Sequence, residues 1–144
     1  MFRRVVFLSG LLLTTCAAPA PPSPTFDGTY VGESSRVRGG DTCGPATEQV
    51  TLAVHGGTFN YGVPATRPDV GNSLVTVNAH LASDGDVAGQ TLYSADNPLI
   101  PQGMQYAWAT VRGRVSAGHI EAMASSLNCA RRLSLAGMQT PGAG

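Results

Sequence analysis

Val111-Arg-Gly-Arg-Val-Ser-Ala-Gly-His-Ile-Glu-Ala-Met-Ala-Ser-Ser-Leu-Asn-Cys-Ala-Arg-Arg-Leu-Ser-Leu135 carries most of what this chain says about its fold. Val111 and Val115 fall on one side of an extended segment, with Gly113 between them. Ser116-Ala-Gly118 then predicts a reversal into a second strand over residues 119–125. A third strand runs from Cys129 to Leu135, with Leu133 and Leu135 sharing a face. The segment at residues 119–124 has helix-compatible composition, but it lacks a capping pattern and is predicted as strand.

Upstream, the same alternation recurs between turn signals. Val50, Leu52 and Val54 alternate with Thr51, Ala53 and His55, and Gly56-Gly57 then leads to Phe59 and Tyr61, predicting a hairpin. Val75, Val77, Ala79 and Leu81 alternate with Leu74, Thr76, Asn78 and His80. Ser83-Asp-Gly-Asp86 reverses the chain into a strand over residues 87–93 with the Asp-Gly turn that tight hairpins favour. Ala107 and Ala109 extend the face of Val111 and Val115 backwards. The folded region is expected to open at Phe26-Asp-Gly-Thr-Tyr-Val-Gly32. Residues 62–72 and 94–103, rich in Pro, Gly and Asn, are predicted as long loops.

Composition agrees. Only 12% of the residues are charged, and 18 glycines with 10 prolines in 144 residues favour short strands and many turns over helices. All nine basic residues are arginines. Without the first 15 residues, seven arginines face nine acids, a net charge of −2. That balance provides no cationic footprint for nucleic acid and no cationic membrane-surface helix. The length allows one domain.

At the N-terminus, Arg3 and Arg4 precede an apolar run of about nine residues, too short to cross a bilayer core of ~30 Å as a helix. Residues 1–15 are therefore expected to be a signal peptide. Leu13-Thr-Thr-Cys16 resembles the bacterial lipobox, departing from it at Thr15, and implies lipidation of Cys16. Ala17 beside that cysteine implies outer-membrane sorting by the same resemblance. The alternative is an ordinary signal peptide cut after Ala18 or Ala20, giving a soluble secreted protein. Residues 16–25, with four prolines, are expected to form an extended tether. The domain then occupies residues 26–136, and residues 137–144 form a tail.

With Cys16 assigned to the signal, Cys43 and Cys129 remain, and an even pair in an exported protein implies a disulfide. About eight antiparallel strands with their ends tied together predict an all-β, up-and-down barrel, which removes exposed sheet edges; a two-sheet β-sandwich is the alternative. The small residues Ala79, Ala107, Ala109, Gly113, Ala122 and Ala124 suit a narrow, filled interior. Gly28-Thr-Tyr-Val-Gly32, Cys43, residues 50–59, Val111-Arg-Gly113 and the closing strand from Cys129 to Leu135 together resemble a loose group of small exported bacterial β-barrel proteins. The resemblance spans roughly residues 26–135 and implies a fold but no activity.

Catalytic chemistry is not indicated. His55, His80 and His119 show no metal-ligand spacing, Asp84 and Asp86 flank a turn glycine, and no nucleophile elbow is present. Glu33, Glu48 and Glu121 are far apart in sequence. The expectation is a non-enzymatic protein with no metal and no cofactor. One constellation speaks for binding: Tyr106, Trp108, Thr110, Arg112 and Arg114 alternate onto one face of a strand, and aromatic and arginine side chains are enriched at binding hot spots. Tyr106, Trp108, Arg112 and Arg114 are the candidate binding residues. The expected role is contact with an envelope or host protein, or with another surface component. The alternative is a lipocalin-like carrier of a small apolar ligand, which needs an internal cavity of roughly 300 Å³ or more.

Overall fold

The computed structural model describes residues 26–97, 99 and 105–138. The expected signal peptide, Cys16, the tether and most of the tail lie outside these residues. Eight antiparallel strands run in chain order: β1 (Gly28–Arg38), β2 (Thr47–Val54), β3 (Thr58–Arg67), β4 (Gly71–Leu81), β5 (Asp86–Ala95), β6 (Gln105–Ser116), β7 (His119–Ser125) and β8 (Ala130–Gly137). Among the described residues there is a single 3₁₀ turn, Asp41–Cys43, between β1 and β2, and no α-helix. All eight strands belong to one sheet in the order β2-β1-β8-β7-β6-β5-β4-β3. The expected up-and-down barrel is therefore present, nearly closed, and the two-sheet alternative is not.

Alternation places the core. On β4, Val75, Val77, Ala79 and Leu81 are buried and the residues between them are exposed. Ala109, Val111 and Val115 of β6, Ile120, Ala122 and Ala124 of β7, and Leu133 and Leu135 of β8 point inward with them. Leu52, Val54, Phe59, Tyr61 and Val63 fill the same interior from β2 and β3. Burying a side chain of this kind contributes about 1.5–3 kcal/mol. Gly113 lets β6 and β7 approach closely, since a Cβ there would run into the backbone of Glu121 and Ala122 on β7.

Three expectations need correction. Gly56 and Gly57 do reverse the chain, but His55 and Thr58 form only one bridge, with N–H···O bonds of 2.9 and 3.1 Å. Beyond it β2 and β3 diverge, so the predicted hairpin is a turn at the foot of a seam. Residues 62–72 are not a long loop. They continue β3 and begin β4, with Pro64 paired to Leu74 and only residues 68–70 outside the strands. Pro64 is tolerated because β3 is an end strand of the sheet, where a missing N–H breaks no ladder on its free side. The other predicted loop also begins later than expected, because Ser94 and Ala95 finish β5.

The seam is braced from inside. Cys43 and Cys129 form the expected disulfide, with Cα atoms 5.5 Å apart and both residues buried. Beside it lies Arg131, which is fully buried at 0% exposure. Its Nε donates to Ser34 Oγ (2.7 Å), Nη1 donates to the carbonyls of Cys43 (2.9 Å) and Pro45 (2.8 Å), and Nη2 donates to Ser34 O (2.9 Å). Nη2 also stands 3.4 Å from Glu48 Oε1 as an ion pair, so four of the five guanidinium N–H groups have hydrogen-bond acceptors and the fifth lies on the side of the carboxylate. Ser34 Oγ in turn meets Tyr61 OH at 3.1 Å. A polar chain thus runs from β2 through β8 and β1 to β3, across the line where the ladder is missing. Arg38 satisfies the nearby turn, donating to the carbonyls of Ser126 and Leu127, both at 2.9 Å.

Candidate functional site

The outer surface of β4, β5 and β6 is the face on which the candidate binding residues meet. Strand parity decides this: with Ala109, Val111 and Val115 inward, Tyr106, Trp108, Arg112 and Arg114 point out and are exposed. Trp108, the single tryptophan of the chain, is 51% exposed and pairs across the ladder with Leu92, itself 51% exposed. Tyr106, 63% exposed, pairs with Ser94. Together Leu92, Trp108 and Tyr106 form an apolar and aromatic patch on the barrel wall, where monomeric proteins ordinarily place polar groups.

The two arginines differ. Arg114 lies opposite Asp86 in the β5–β6 ladder; its Nη1 stands 3.2 Å from Asp86 Oδ1, and its Nη2 donates to Asp84 O at 3.3 Å. It secures the turn at residues 82–85, where Asp84 Oδ1 also accepts the Asp86 N–H at 3.1 Å. Arg112 lies between Ala88 on β5 and Met123 on β7, so neither ladder partner offers it an acid. Sequence patterning brought the two arginines to one face without separating the engaged one from the other.

Below the aromatic patch the wall opens into a shallow cleft of about 380 Å³, lined by Asn78, His80, Ala88, Gly89, Gln90 and Arg112. Its origin is local. The β4–β5 ladder consists of two pairs, His80↔Ala88 and Leu81↔Val87. At Gly89 the next strand presses sideways, and a Cβ there would sit 2.5 Å from Asn78 O and 2.8 Å from Ala79 Cα. Farther along, Thr91 Oγ1 donates to Thr76 O at 2.8 Å, a side chain taking the place of a ladder bond. The cleft floor is therefore Ala88 and Gly89, and its walls are an imidazole, two amides and a guanidinium. Asn78 Nδ2 is held by Asn60 Oδ1 at 3.0 Å. Sequence reasoning missed the cleft because His80, Gln90 and Asn78 look like ordinary outward positions. The lone Gly89 in a strand was the available signal.

The other titratable groups are dispersed. His55 sits at the β2–β3 turn and His119 at the start of β7. Glu121 faces Ser134 on the outer wall, with the hydroxyl donating to the carboxylate, whereas Glu48 serves Arg131. Among the described residues no group of three or more His, Cys, Asp or Glu side chains is arranged to hold a metal ion. Asp27 Oδ1 and Oδ2 accept the N–H groups of Gly57 and Gly56, both at 2.8 Å. These bonds, and the neighbouring His55, hold its carboxyl below the usual carboxylate value, and they tie the strand entry to the seam turn. In comparisons with known proteins, no protein-family model, curated protein or solved structure matches this chain.

Proposed function

We propose that this is a non-catalytic exported protein of the bacterial envelope that acts by contact, through the outer face centred on Trp108, with an envelope or host protein or another surface component. The observation that carries this reading is the half-exposed Trp108–Leu92 pair beside Tyr106. Large aromatic groups left on a barrel wall forgo burial worth about 1.5–3 kcal/mol each, a cost a binding surface recovers on contact. The dispersed histidines and the engagement of Glu48 and Glu121 in structural contacts favour a binding protein over an enzyme. The inward side chains pack into one continuous cluster, which favours the outer wall over a carrier's cavity.

Export is supported by the signal-like N-terminus and by a buried disulfide of the kind that persists in oxidising compartments. Lipidation at Cys16 and outer-membrane sorting belong to the same proposal, and mass spectrometry of the mature N-terminus tests them. A diacylglyceryl-modified Cys16 supports anchoring, whereas an unmodified start at Pro19 or Pro21 replaces it with soluble secretion. The contact face is tested by affinity capture from envelope extract with the wild type and Trp108→Ala. The expected result is a partner that the variant loses. Identical captures from both proteins refute the face.

A further inference from the structure

The cleft below Trp108 has a chemistry of its own. Its walls offer the Asn78 and Gln90 amides, the His80 imidazole and the Arg112 guanidinium, all planar groups, and its floor offers only Ala88 and Gly89. A floor that shallow has no pocket for an apolar side chain. Although β4 and β5 share only two ladder pairs, β5 lies against the β4 backbone beyond them, with a Cβ at Gly89 falling 2.5 Å from Asn78 O and Thr91 Oγ1 donating to Thr76 O, so no room is left between the two for an added peptide strand. Amides and imidazole suit ligand hydroxyls, which both donate and accept hydrogen bonds. Arg112 adds a positive charge that neither ladder partner, Ala88 or Met123, pairs with, while the diagonal acids Asp86 and Glu121 are engaged by Arg114 and Ser134. A guanidinium fork matches a carboxylate.

Trp108 extends this surface. Gln90 pairs with Thr110 and Leu92 with Trp108, so Trp108 and Gln90 are diagonal neighbours on the outer face, their backbones about 7–8 Å apart. Four residues of extended strand separate Trp108 from Arg112, about 13 Å. A single sugar ring does not bridge that distance, but a short chain of rings does. We infer that the cleft formed by Asn78, His80, Gln90 and Arg112, together with Trp108, binds an acidic saccharide chain, one ring lying on the indole and a carboxylate reaching Arg112. This rests on the reading of the outer face as the binding face and assigns that face a ligand class.

Trp108 also provides the assay, because it is the only tryptophan. Its fluorescence is titrated with a hyaluronan tetrasaccharide, which carries glucuronate, and with neutral chitotetraose. Saturable quenching by the acidic chain, at least fivefold tighter than by the neutral one, supports the inference. Arg112→Gln should weaken the acidic chain about tenfold, in line with the loss of a charge-assisted hydrogen bond, and erase the preference. Gln90→Ala should weaken both chains. Equal affinity for the two chains, or no response to either, overturns the inference. If no saccharide binds while capture through Trp108 still yields a protein partner, the contact face stands and only the ligand assignment falls. If capture fails as well, both readings fall.

Discussion

Replacing Arg131 with methionine keeps much of the buried volume and removes all five N–H donors. The carbonyls of Ser34, Cys43 and Pro45 then lose this donor, and Ser34 Oγ is left with Tyr61 OH alone. Each buried polar group left unsatisfied costs about 1–3 kcal/mol, and water entering at the part-buried Pro45 carbonyl offsets some of that. Glu48, 42% exposed, remains solvated, so its pairing adds no more than about 0–1 kcal/mol. The expected loss is roughly 3–5 kcal/mol, the range for breaking a buried charged network from one side. Exchanging a whole ion pair for apolar groups is often neutral, but backbone carbonyls cannot be exchanged, and this decides the sign. Against a net stability of about 5–15 kcal/mol, the change takes away a large share of the fold. Urea unfolding of the oxidised protein, followed by circular dichroism, measures it. Arg132→Met, one residue along on the exposed side of β8, is the control and should change stability by less than about 0.5 kcal/mol. A loss below about 1 kcal/mol for Arg131→Met, or equal losses for the two variants, would refute the brace.

Three further perturbations test other parts of the account. Gly113→Ala places a Cβ against the backbone of β7, which cannot yield as a flexible side chain would; a loss of about 1–3 kcal/mol is expected in the same urea assay, and an unchanged midpoint contradicts the close approach. Removing the disulfide with Cys43→Ala and Cys129→Ala frees an unfolded-state loop spanning a sequence separation of 86, which the chain-entropy relation values at about 4.5 kcal/mol; because Cys43 O also serves Arg131, the triple variant with Arg131→Met should lose less than the sum of the separate effects. Asp27, with its carboxyl held below the usual value of 3.8, favours the folded state above that pH, and the contribution disappears as pH falls through the lower folded-state value. Asp27→Asn should therefore flatten the acid limb of the stability profile below about pH 4 and leave the alkaline limb unchanged; an unaltered acid limb removes Asp27 from the seam turn.

Period-two alternation makes the barrel legible because one face of every strand is buried. The inward set Val75, Val77, Ala79 and Leu81 can be read from alternation alone, and so can the outward set on β6. The disulfide follows from cysteine arithmetic. Arg131 is legible in principle, since it shares its parity with Leu133 and Leu135, but a charge on an inner face ordinarily argues against burial. Its acceptors come from β1, β2 and the segment at residues 43–45, which no local pattern connects. The seam is illegible for a related reason. Gly56-Gly57 encodes the reversal, whereas the divergence of β2 and β3 depends on the closure of β1 against β8. Pro64 misleads in the opposite direction, because its penalty vanishes on an end strand. The cleft depends on how Gly89 approaches Asn78 across two strands, a distance that no spacing within one strand records.

The central claim is that this barrel works through the wall carrying Trp108. A photo-crosslinking phenylalanine analogue at position 108, compared with one at Thr51 on the outer side of β2, tests it most directly in cells producing the protein. The account predicts a discrete adduct from position 108 that position 51 does not give. The same adducts from both positions, or none from position 108, would contradict it.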